Sequence, residues 1–275
     1  MSRRREFARR LEALTEIAGI MSAMKALALM ETRILRDFLD CQQGMLASIE
    51  TAAADFLAWH PEFAATPEAG PELYVLLGSE QGFCGDYNEV LLSWLRAQAP
   101  GASAQHIVVG QRMAARLNDK SVQLAGASVA DEVPAVLQAL SAQLRQWLSA
   151  HPGAGLSVLY HCEASGSLRL RRLLPLGDLP APAPTPWPAD LNLAPAEFFA
   201  ALSGHYLYAA LNAVLYSALM TENRQRLAHM ENALHKLDED RLRLQRQANA
   251  QRQEDITEEI EIIQLSAQML AGTGS

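Results

Sequence analysis

The stretch Phe199-Ala-Ala-Leu-Ser-Gly-His-Tyr-Leu-Tyr-Ala-Ala-Leu-Asn-Ala-Val-Leu-Tyr-Ser-Ala-Leu-Met220 decides the fold class of this chain. Its apolar residues recur at steps of three and four, which is the spacing of one face of an α-helix. No proline follows Pro195, and no glycine lies between Gly204 and Gly272, so the sequence offers nothing to interrupt this helix. We therefore predict a single C-terminal helix on the order of 100 Å long.

A second helical pattern occupies the first sixty residues, which contain no proline. Its apolar residues follow the same spacing, at positions 7, 11, 14, 18, 21, 28, 35, 38, 45, 49, 52 and 56. Two long helices bury such stripes most economically against each other, so we expect an antiparallel coiled coil that forms a rod. The C-terminal stripe that this coil would bury extends through Ile256, Ile260 and Ile263.

Between the two helices the pattern changes to short strands alternating with helices. Strands are predicted at 73–77, 106–109, 156–160 and 168–174, and helices at 87–98, 112–117 and 133–150. A run with prolines at 175, 180, 182, 184, 186 and 188 then returns to the second long helix. The predicted organisation is an N-terminal coiled-coil helix (1–60), a central Rossmann-like α/β domain with its Pro-rich return segment (70–188) and a C-terminal coiled-coil helix (195–271).

Composition and charge exclude several functional classes. Lysine and arginine total 23 against 31 aspartates and glutamates, and this net charge of −8 disfavours a general nucleic-acid binder. The basic residues concentrate in residues 1–36, which carry eight against four acidic ones, so this end suits an acidic surface. Cys41, Cys84 and Cys162 form no CxxC motif, which argues against a disulfide framework or a structural zinc site. Because neither a signal peptide nor about 20 consecutive apolar residues occur, we expect neither secretion nor a membrane span.

The loop Gly78-Ser-Glu-Gln-Gly-Phe-Cys-Gly85 follows a predicted strand and precedes a predicted helix, which is where phosphate-binding loops lie. It contains neither GxGxxG nor GK[ST]. It also places Glu80 and Asp86 where a phosphate would require positive charge. A structural turn is therefore favoured over a nucleotide site.

No metal, cofactor or catalytic site is expected elsewhere. His161, Cys162 and Glu163 carry ligand atoms, but neighbouring residues of a strand face opposite sides. No GxSxG motif is present, and the carboxylate runs 238–240 and 258–259 are contiguous on a helix rather than convergent on a cleft. A solvated charged helix face accounts for both runs.

Residues 245–255, called the polar segment below, contain no apolar side chain larger than alanine. This segment is either a solvated part of the helix or a part that a polar partner surface surrounds, and spacing alone does not choose between the two. In the second case Arg252 and Gln253 donate hydrogen bonds to partner carboxylates or carbonyls. The methionines of the first helix, such as Met30 and Met45, are predicted to fill the core.

Four segments of the chain carry motifs of some length. Ile20-Met-Ser-Ala-Met24-Lys25-Ala-Leu-Ala28 is similar to I-T-x-A-M-[KE]-x-V-A, and Gly82-Phe-Cys-Gly85-Asp-Tyr-Asn88 to G-L-C-G-x-[LY]-N. Glu222-Asn-Arg-Gln-Arg226-Leu-Ala-His-Met230 is similar to E-x-x-x-R-M-x-A-M. Asn249-Ala-Gln-Arg252-Gln253-Glu-Asp-Ile-Thr257-Glu-Glu259-Ile260 is similar to N-x-x-R-Q-x-x-I-T-x-E-[IL]. In these motifs and their order, the chain resembles the γ subunit of F-type ATP synthases.

The resemblance implies a central rotor shaft without an active site or cofactor of its own. In that family the two terminal helices turn inside a ring of three α and three β subunits, and the α/β domain touches the c-ring and the ε subunit. ATP is made or hydrolysed at the α/β interfaces, and ion flow through the membrane sector drives the rotation. The implied location is peripheral, on the cytoplasmic face of the bacterial plasma membrane.

The resemblance also assigns interface roles to particular residues. It implies that Arg252 and Gln253 contact a loop of the β subunit, and that Thr257 and Glu259 lie with Met24 where rotation is coupled to catalysis. The full set of implied subunit-interface residues is Met24, Lys25, Arg226, Arg252, Gln253, Thr257, Glu259, Met269 and Leu270. Of these, Met269 and Leu270 would sit in an apolar bearing.

Several positions depart from the family pattern. Glu80-Gln81-Gly82 stands where D-[RK]-G is usual, Asp86 replaces a small residue, and Ile262 replaces a common glutamate. Such departures are typical of a divergent branch such as the N-type ATPases, some of which move Na⁺. The sequence leaves open whether H⁺ or Na⁺ is moved and whether synthesis or hydrolysis dominates. The alternative interpretation is a coiled-coil scaffold that lacks the rotor role, and a nucleotide-binding enzyme using the loop 78–85 is a third.

Overall fold

The structure is a computed structural model that describes residues 2–64, 71–98, 105–117, 121–176, 179–181 and 187–272, with the side chains of 2–4, 98 and 266–272 outside the description. Its helices are α1 (Ser2–Trp59), α2 (Tyr87–Gln98), α3 (Gln111–Ala114), α4 (Val133–Ala150) and α5 (Pro195–Gly272), and short 3₁₀ turns lie at Pro61–Phe63 and Ala130–Glu132. Its strands are β1 (Glu72–Leu77), β2 (Gln105–Val109), β3 (Val122–Leu124), β4 (Gly155–Cys162) and β5 (Ser167–Leu174).

The two long helices predicted from the sequence are confirmed, with 58 residues in α1 and 78 in α5. Helix α1 ends at Trp59 because Pro61 has no backbone N–H to continue the ladder. Helix α5 begins at Pro195, where the fixed φ of proline suits the first helical position. The chain divides into two compact units: a helical unit of Met1–Leu27 with Ala228–Ser275, and a sheet unit of Ala28–Leu227.

The sheet unit contains one five-stranded sheet in the order β3-β2-β1-β4-β5. The first four strands are parallel, and β5 pairs with β4 in the antiparallel sense. The predicted central α/β fold is confirmed, as are four strands and the helices α2 and α4. The sequence analysis missed β3, whose three residues include no fully buried side chain and so carry no strand pattern. The division at residues 60, 70, 188 and 195 stays a prediction.

In the sheet unit the long helices pack antiparallel. The ring of Phe38 stacks on Tyr216 with centroids 5.5 Å apart, and four residues further along α1 Gln42 Oε1 accepts a hydrogen bond of 2.7 Å from Asn212 Nδ2, four residues back along α5. The residues of α5 from Ala213 to Asn223 are buried without a break. A helix buried on all sides lies inside a core rather than on its surface.

The buried face of α1 differs from the predicted stripe by one residue in part of its length. Leu39, Leu46 and Ala53 are buried, whereas Phe38 and Met45 are 40% and 42% exposed. Met30, predicted to fill the core, is 50% exposed. Along α1 two apolar stripes lie side by side, and each repeats every seven residues, so spacing alone does not indicate which one is buried. Packing against the α/β core determines which stripe is buried.

The helical unit pairs the start of α1 with the second half of α5. Lys25 Nζ lies 3.0 Å from Glu231 Oε1, and Arg10 and Leu14 share a groove with Asp240 and Leu244. Because α1 begins about two turns before Arg10, it ends short of Ile256. The expectation that this coil buries the whole C-terminal stripe is therefore wrong: Ile256, Ile260 and Ile263 are 46%, 49% and 64% exposed.

Both long helices also contain a window apolar enough to cross a membrane, with mean hydropathies of 1.4 in α1 and 1.3 in α5. The sequence analysis did not anticipate these windows, because charged residues interrupt the apolar run of α1, and polar residues such as His205 and Asn212 interrupt that of α5. The α5 window is 39% buried inside the protein itself, and that of α1 6%. Length and composition of this kind also occur in long helices of soluble proteins.

Candidate functional site

The loop 78–86 lies at the carboxyl ends of two neighbouring parallel strands, β1 and β4. Because β2 lies on the other side of β1, the connection from β1 to β2 and the connection into β4 run in opposite directions from this point. Ligands of open α/β sheets bind in the crevice at such a position. The loop is therefore the place where the fold itself would offer a nucleotide site.

A carboxylate of the chain itself occupies this position. The backbone N–H groups of Glu80 and Gln81 donate to the carboxylate oxygens of Glu222 on α5, with distances of 3.4 and 3.3 Å. Glu222 is 3% exposed, and burial raises the pKa of its carboxyl group while Arg226 and the two N–H groups act in the opposite direction. These N–H groups, which could otherwise bind a phosphate, are thus hydrogen-bonded to a carboxylate of the same chain. This supports the interpretation of the loop as a structural turn.

Arg226 completes this network one turn further along α5. Its guanidinium forms an ion pair with Glu222, and it donates to Asn223 Oδ1 at 2.7 Å, Gly82 O at 3.3 Å and Cys84 Sγ at 3.3 Å. The residue is 4% exposed. Arg226 thus uses its donors within the chain, and the interface role implied for it stays a prediction.

A second carboxylate fixes the other side of the loop. Glu80 Oε2 accepts hydrogen bonds from the backbone N–H of Gln111 at 2.9 Å and of Gly126 at 2.7 Å. Asn88 holds the start of the loop, since its amide donates to Ser79 Oγ at 2.7 Å and accepts from Ser79 N at 3.0 Å. Glu80, which departs from the family pattern, thus has a structural task in this chain.

We expect that the isolated chain does not bind ATP. The backbone N–H groups of Glu80 and Gln81 are already bonded to the carboxylate of Glu222, so a phosphate at this position would have to displace that carboxylate. Isothermal titration with Mg-ATP and the full chain should give no saturable heat. Saturable binding that the variant Glu222→Gln strengthens would contradict this account and favour the nucleotide-binding interpretation.

The three cysteines differ in environment. Cys84 is buried, and burial together with nearby Glu222 raises the pKa of its thiol to about 12. Cys162 is also buried, whereas Cys41 is exposed on α1. Since the thiolate is the reactive form and must reach solvent, we expect one rapidly alkylated thiol in the native chain and three in denaturant. Mass spectrometry after iodoacetamide at pH 8 should place the native label on Cys41, and early labelling of Cys84 would contradict the buried network.

Among the described residues, no group of three or more histidines, cysteines, aspartates or glutamates is placed to hold a metal ion. His161 instead donates from Nε2–H to the carbonyl oxygen of Tyr87, 2.9 Å away, and packs on the Tyr87 ring with centroids 4.1 Å apart. Burial lowers the pKa of its imidazole. In the neutral form, Nε2–H donates to this carbonyl, which gives His161 a packing role.

The polar segment and the residues after it face solvent. Arg252, Gln253, Thr257 and Glu259 are all exposed, and Thr257 Oγ1 donates to the carbonyl of Gln253 at 2.9 Å. Neither Arg252 nor the amide of Gln253 forms a side-chain bond within the described part of the chain. The side chains of Met269 and Leu270 lie outside the described residues.

Met24 and Lys25 lie in a different part of the helical unit. Met24 is half-buried, and the ion pair of Lys25 places this turn of α1 beside Glu231. Thr257 is 26 residues further along α5, roughly 40 Å at the rise of an α-helix. The antiparallel register therefore separates Met24 from Thr257 and Glu259 along the helical unit, and their implied common role in coupling stays a prediction.

Sequence reasoning missed the role of Glu222. The available signal was a glutamate and an arginine at i and i+4 in a stretch otherwise apolar enough to be buried, where a lone charge would be costly. What the spacing does not indicate is the partner, because Glu80 and Gln81 lie about 140 residues away in the chain.

Comparisons with solved structures return the same architecture. A chain of the Euglena gracilis mitochondrial ATP synthase (OSCP/F1/c-ring) has TM-score 0.66 and 18% identity, over 100% of this chain and 97% of that one. A chain of the Euglena gracilis rotor has TM-score 0.61 and 16% identity, over 93% and 99%. A chain of the Tetrahymena thermophila mitochondrial central stalk and c-ring has TM-score 0.57 and 15% identity, over 78% and 99%. At identities this low, the structural likeness shows the fold alone.

Comparison at the level of sequence families gives the assignment. No curated protein matches the chain significantly. The family model described as ATP synthase, however, matches residues 3–268, nearly the whole chain. The match covers both long helices, the sheet and all four motifs, so the chain belongs to the γ-subunit family of F-type ATP synthases, the central stalk of the rotor.

Proposed function

We propose that this chain transmits torque between an ion-conducting membrane sector and the ATP-forming sites of a catalytic α/β assembly. It carries no catalytic site of its own. Its contribution is a set of contacts that differ from one β subunit to the next as it turns, and such differential contact shifts each subunit toward a different state. The coupled ion, H⁺ or Na⁺, is then chosen by the membrane sector.

The single observation that carries this proposal is the exposed end of α5. The isoleucines after the polar segment lie beyond the start of α1, and Arg252 and Gln253 are exposed, with hydrogen-bond donors available to solvent. Ile256, Ile260 and Ile263 lie on one side of the helix, whereas Ile262 and Leu265, 63% and 58% exposed, lie on the other. A helix with apolar residues on opposite sides suits a partner that encloses it.

The partners that we propose are three α and three β subunits around the exposed part of α5, with the ε subunit and the c-ring at the sheet unit. The eight basic residues among the first 36 suit acidic surfaces of these partners. The proposed location is peripheral, on the cytoplasmic face of a bacterial plasma membrane. The family assignment and the similar structures, which come from an F1/c-ring assembly and a rotor, support these partners.

Co-expression with the α and β subunits of the same genome tests the proposal. We expect co-elution in size exclusion at one copy per three αβ pairs, and ATP hydrolysis that is faster with the chain than without it. A chain that elutes alone and leaves the hydrolysis rate unchanged would overturn the rotor proposal. That outcome would favour the coiled-coil scaffold without a rotor role.

A further inference from the structure

Helix α5 makes a series of polar contacts within the sheet unit just before that unit ends at Leu227. Residues 213–223 of the helix are buried without a break, but the apolar attraction that holds them in the core is non-directional. Hydrogen bonds and ion pairs are directional, because they weaken steeply when their geometry is bent. The polar contacts of residues 217–226 therefore add resistance to any turning of α5 about its own axis.

One set of these contacts joins α5 to the end of β4. The backbone N–H of Glu163 donates to Ser217 Oγ at 2.9 Å, and the guanidinium of Arg224 forms an ion pair with the Glu163 carboxylate. Thr221 Oγ1 lies 2.9 Å from the carbonyl oxygen of Ser217 and 3.3 Å from that of His161, so its hydroxyl proton is shared between helix and strand. Ser217, Thr221 and Arg224 are called the strand row below.

A second set joins α5 to the loop that follows β1. It comprises the contacts of Glu222 and Arg226 with the loop 78–86 that are described above. In addition, the phenol of Tyr87 donates to the carbonyl oxygen of Ala218 at 3.3 Å. Ala218, Glu222 and Arg226 are called the loop row.

The two rows lie on different sides of the helix. At about 100° per residue, the mean directions of the strand row and the loop row are roughly 130° apart around the axis. Contacts on one side alone would let the helix pivot about them, whereas contacts on two sides oppose turning in either sense. Ser217, Thr221, Glu222 and Arg226 are 6% exposed or less, so water does not compete for their bonds.

We propose that the two rows clamp α5 at a fixed angle in the sheet unit, and that Ser217 and Arg224 are positioning residues for the transmission of torque. A helix that turned within its own core would lose part of each rotation between the sheet and the exposed end of α5. This inference rests on the proposed torque function and adds to it the place where the sheet holds the helix.

The experiment uses the full complex with α and β, immobilised through β, with a bead attached to the sheet unit. The attachment site is Ala142→Cys on an exposed part of α4, combined with Cys41→Ser to keep the labelling specific. While the complex waits for ATP, the variance of the bead angle is inversely proportional to the torsional stiffness between bead and β. Ser217→Ala with Arg224→Met removes both contacts with Glu163, and we expect this double variant to raise the variance roughly twofold, because only one complete row then opposes turning.

Two controls separate positioning from packing. Ile107→Val removes a buried methylene from the core at β2 without touching either row. Its variance should equal that of the wild type even where its melting temperature falls as far as that of the double variant. Arg224→Lys keeps the charge and should also keep the wild-type variance. An equal rise in variance for Ile107→Val and the double variant would overturn the clamp, since general loosening of the core would then explain both.

The same measurement separates this inference from the proposed function. A wild-type complex that rotates, together with a double variant of unchanged variance, would overturn the clamp and leave the torque function standing. A wild-type chain that fails to assemble or to rotate would overturn both, because the clamp has its task only in a rotor.

Discussion

Arg226→Met should destabilise the sheet unit by about 3–5 kcal/mol, the cost typical of removing one partner from a buried ion pair. The substitution leaves the carboxylate of Glu222 buried at 3% exposure without its cation, and it also removes donors to Gly82, Asn223 and Cys84. All four tryptophans lie between residues 59 and 187, so tryptophan fluorescence during urea unfolding reports this unit. A melting temperature lower by on the order of 10 °C should accompany the change.

A matched control for this prediction lies two residues away. Arg224 pairs with Glu163 but is 43% exposed at its side chain, so Arg224→Met should cost no more than about 1 kcal/mol. Glu222→Gln combined with Arg226→Met removes both charges and should recover part of the lost stability, and Arg226→Lys should be intermediate. Equal losses for Arg226→Met and Arg224→Met would show that the buried network does not stabilise the unit.

Arg252→Ala with Gln253→Ala should lower the hydrolysis rate of the assembled complex and its ion pumping by roughly tenfold or more, as expected for the loss of charge-assisted hydrogen bonds. The isolated chain should remain folded, because both side chains are exposed and have no apolar contact to lose. Circular dichroism of the free chain, co-elution with α and β, and ATP-driven pumping together separate a folding effect from a coupling effect.

The sequence provides an unusually close control for this pair. Arg246 and Gln247 repeat the same dipeptide six residues earlier on α5 and are also exposed. Arg246→Ala with Gln247→Ala therefore changes the same chemistry on the same helix and should leave coupling nearly intact. If both double variants pumped as the wild type does, Arg252 and Gln253 would have no part in coupling. If both lost activity alike, a general effect of the helix would be responsible.

Local patterns predicted those parts of the fold that short-range physics determines. The bounds of α2 and α4 agree with the predicted helices at 87–98 and 133–150, since apolar spacing and flanking breakers lie within a few residues of each other. The buried face of α1 could not be predicted, because Phe38 and Leu39, like Met45 and Leu46, are equally apolar neighbours. Only tertiary packing distinguishes them.

In the candidate site, too, local sequence predicts some features and only tertiary packing determines the others. Exposed Arg252 and Gln253 were found from an interruption of the apolar stripe, which is a local signal. The bond between Glu222 and the loop at Glu80 joins residues far apart in the chain, so no spacing could reveal it. The separation of Met24 from Thr257 likewise follows from the antiparallel register, which is a property of two helices rather than of one.

The burial of α5 from Ala213 to Asn223 has a consequence for how the protein is made. The strands emerge from the ribosome first, but the helix that fills their core is translated last. At about 5–20 residues per second, the newly made sheet waits several seconds for α5, with apolar residues such as Leu156 and Val158 incompletely covered. During this interval the incomplete unit is exposed to aggregation, because the contacts between the sheet and α5 are of long sequence separation. Synthesis of the C-terminal third therefore limits when the sheet unit becomes a stable body.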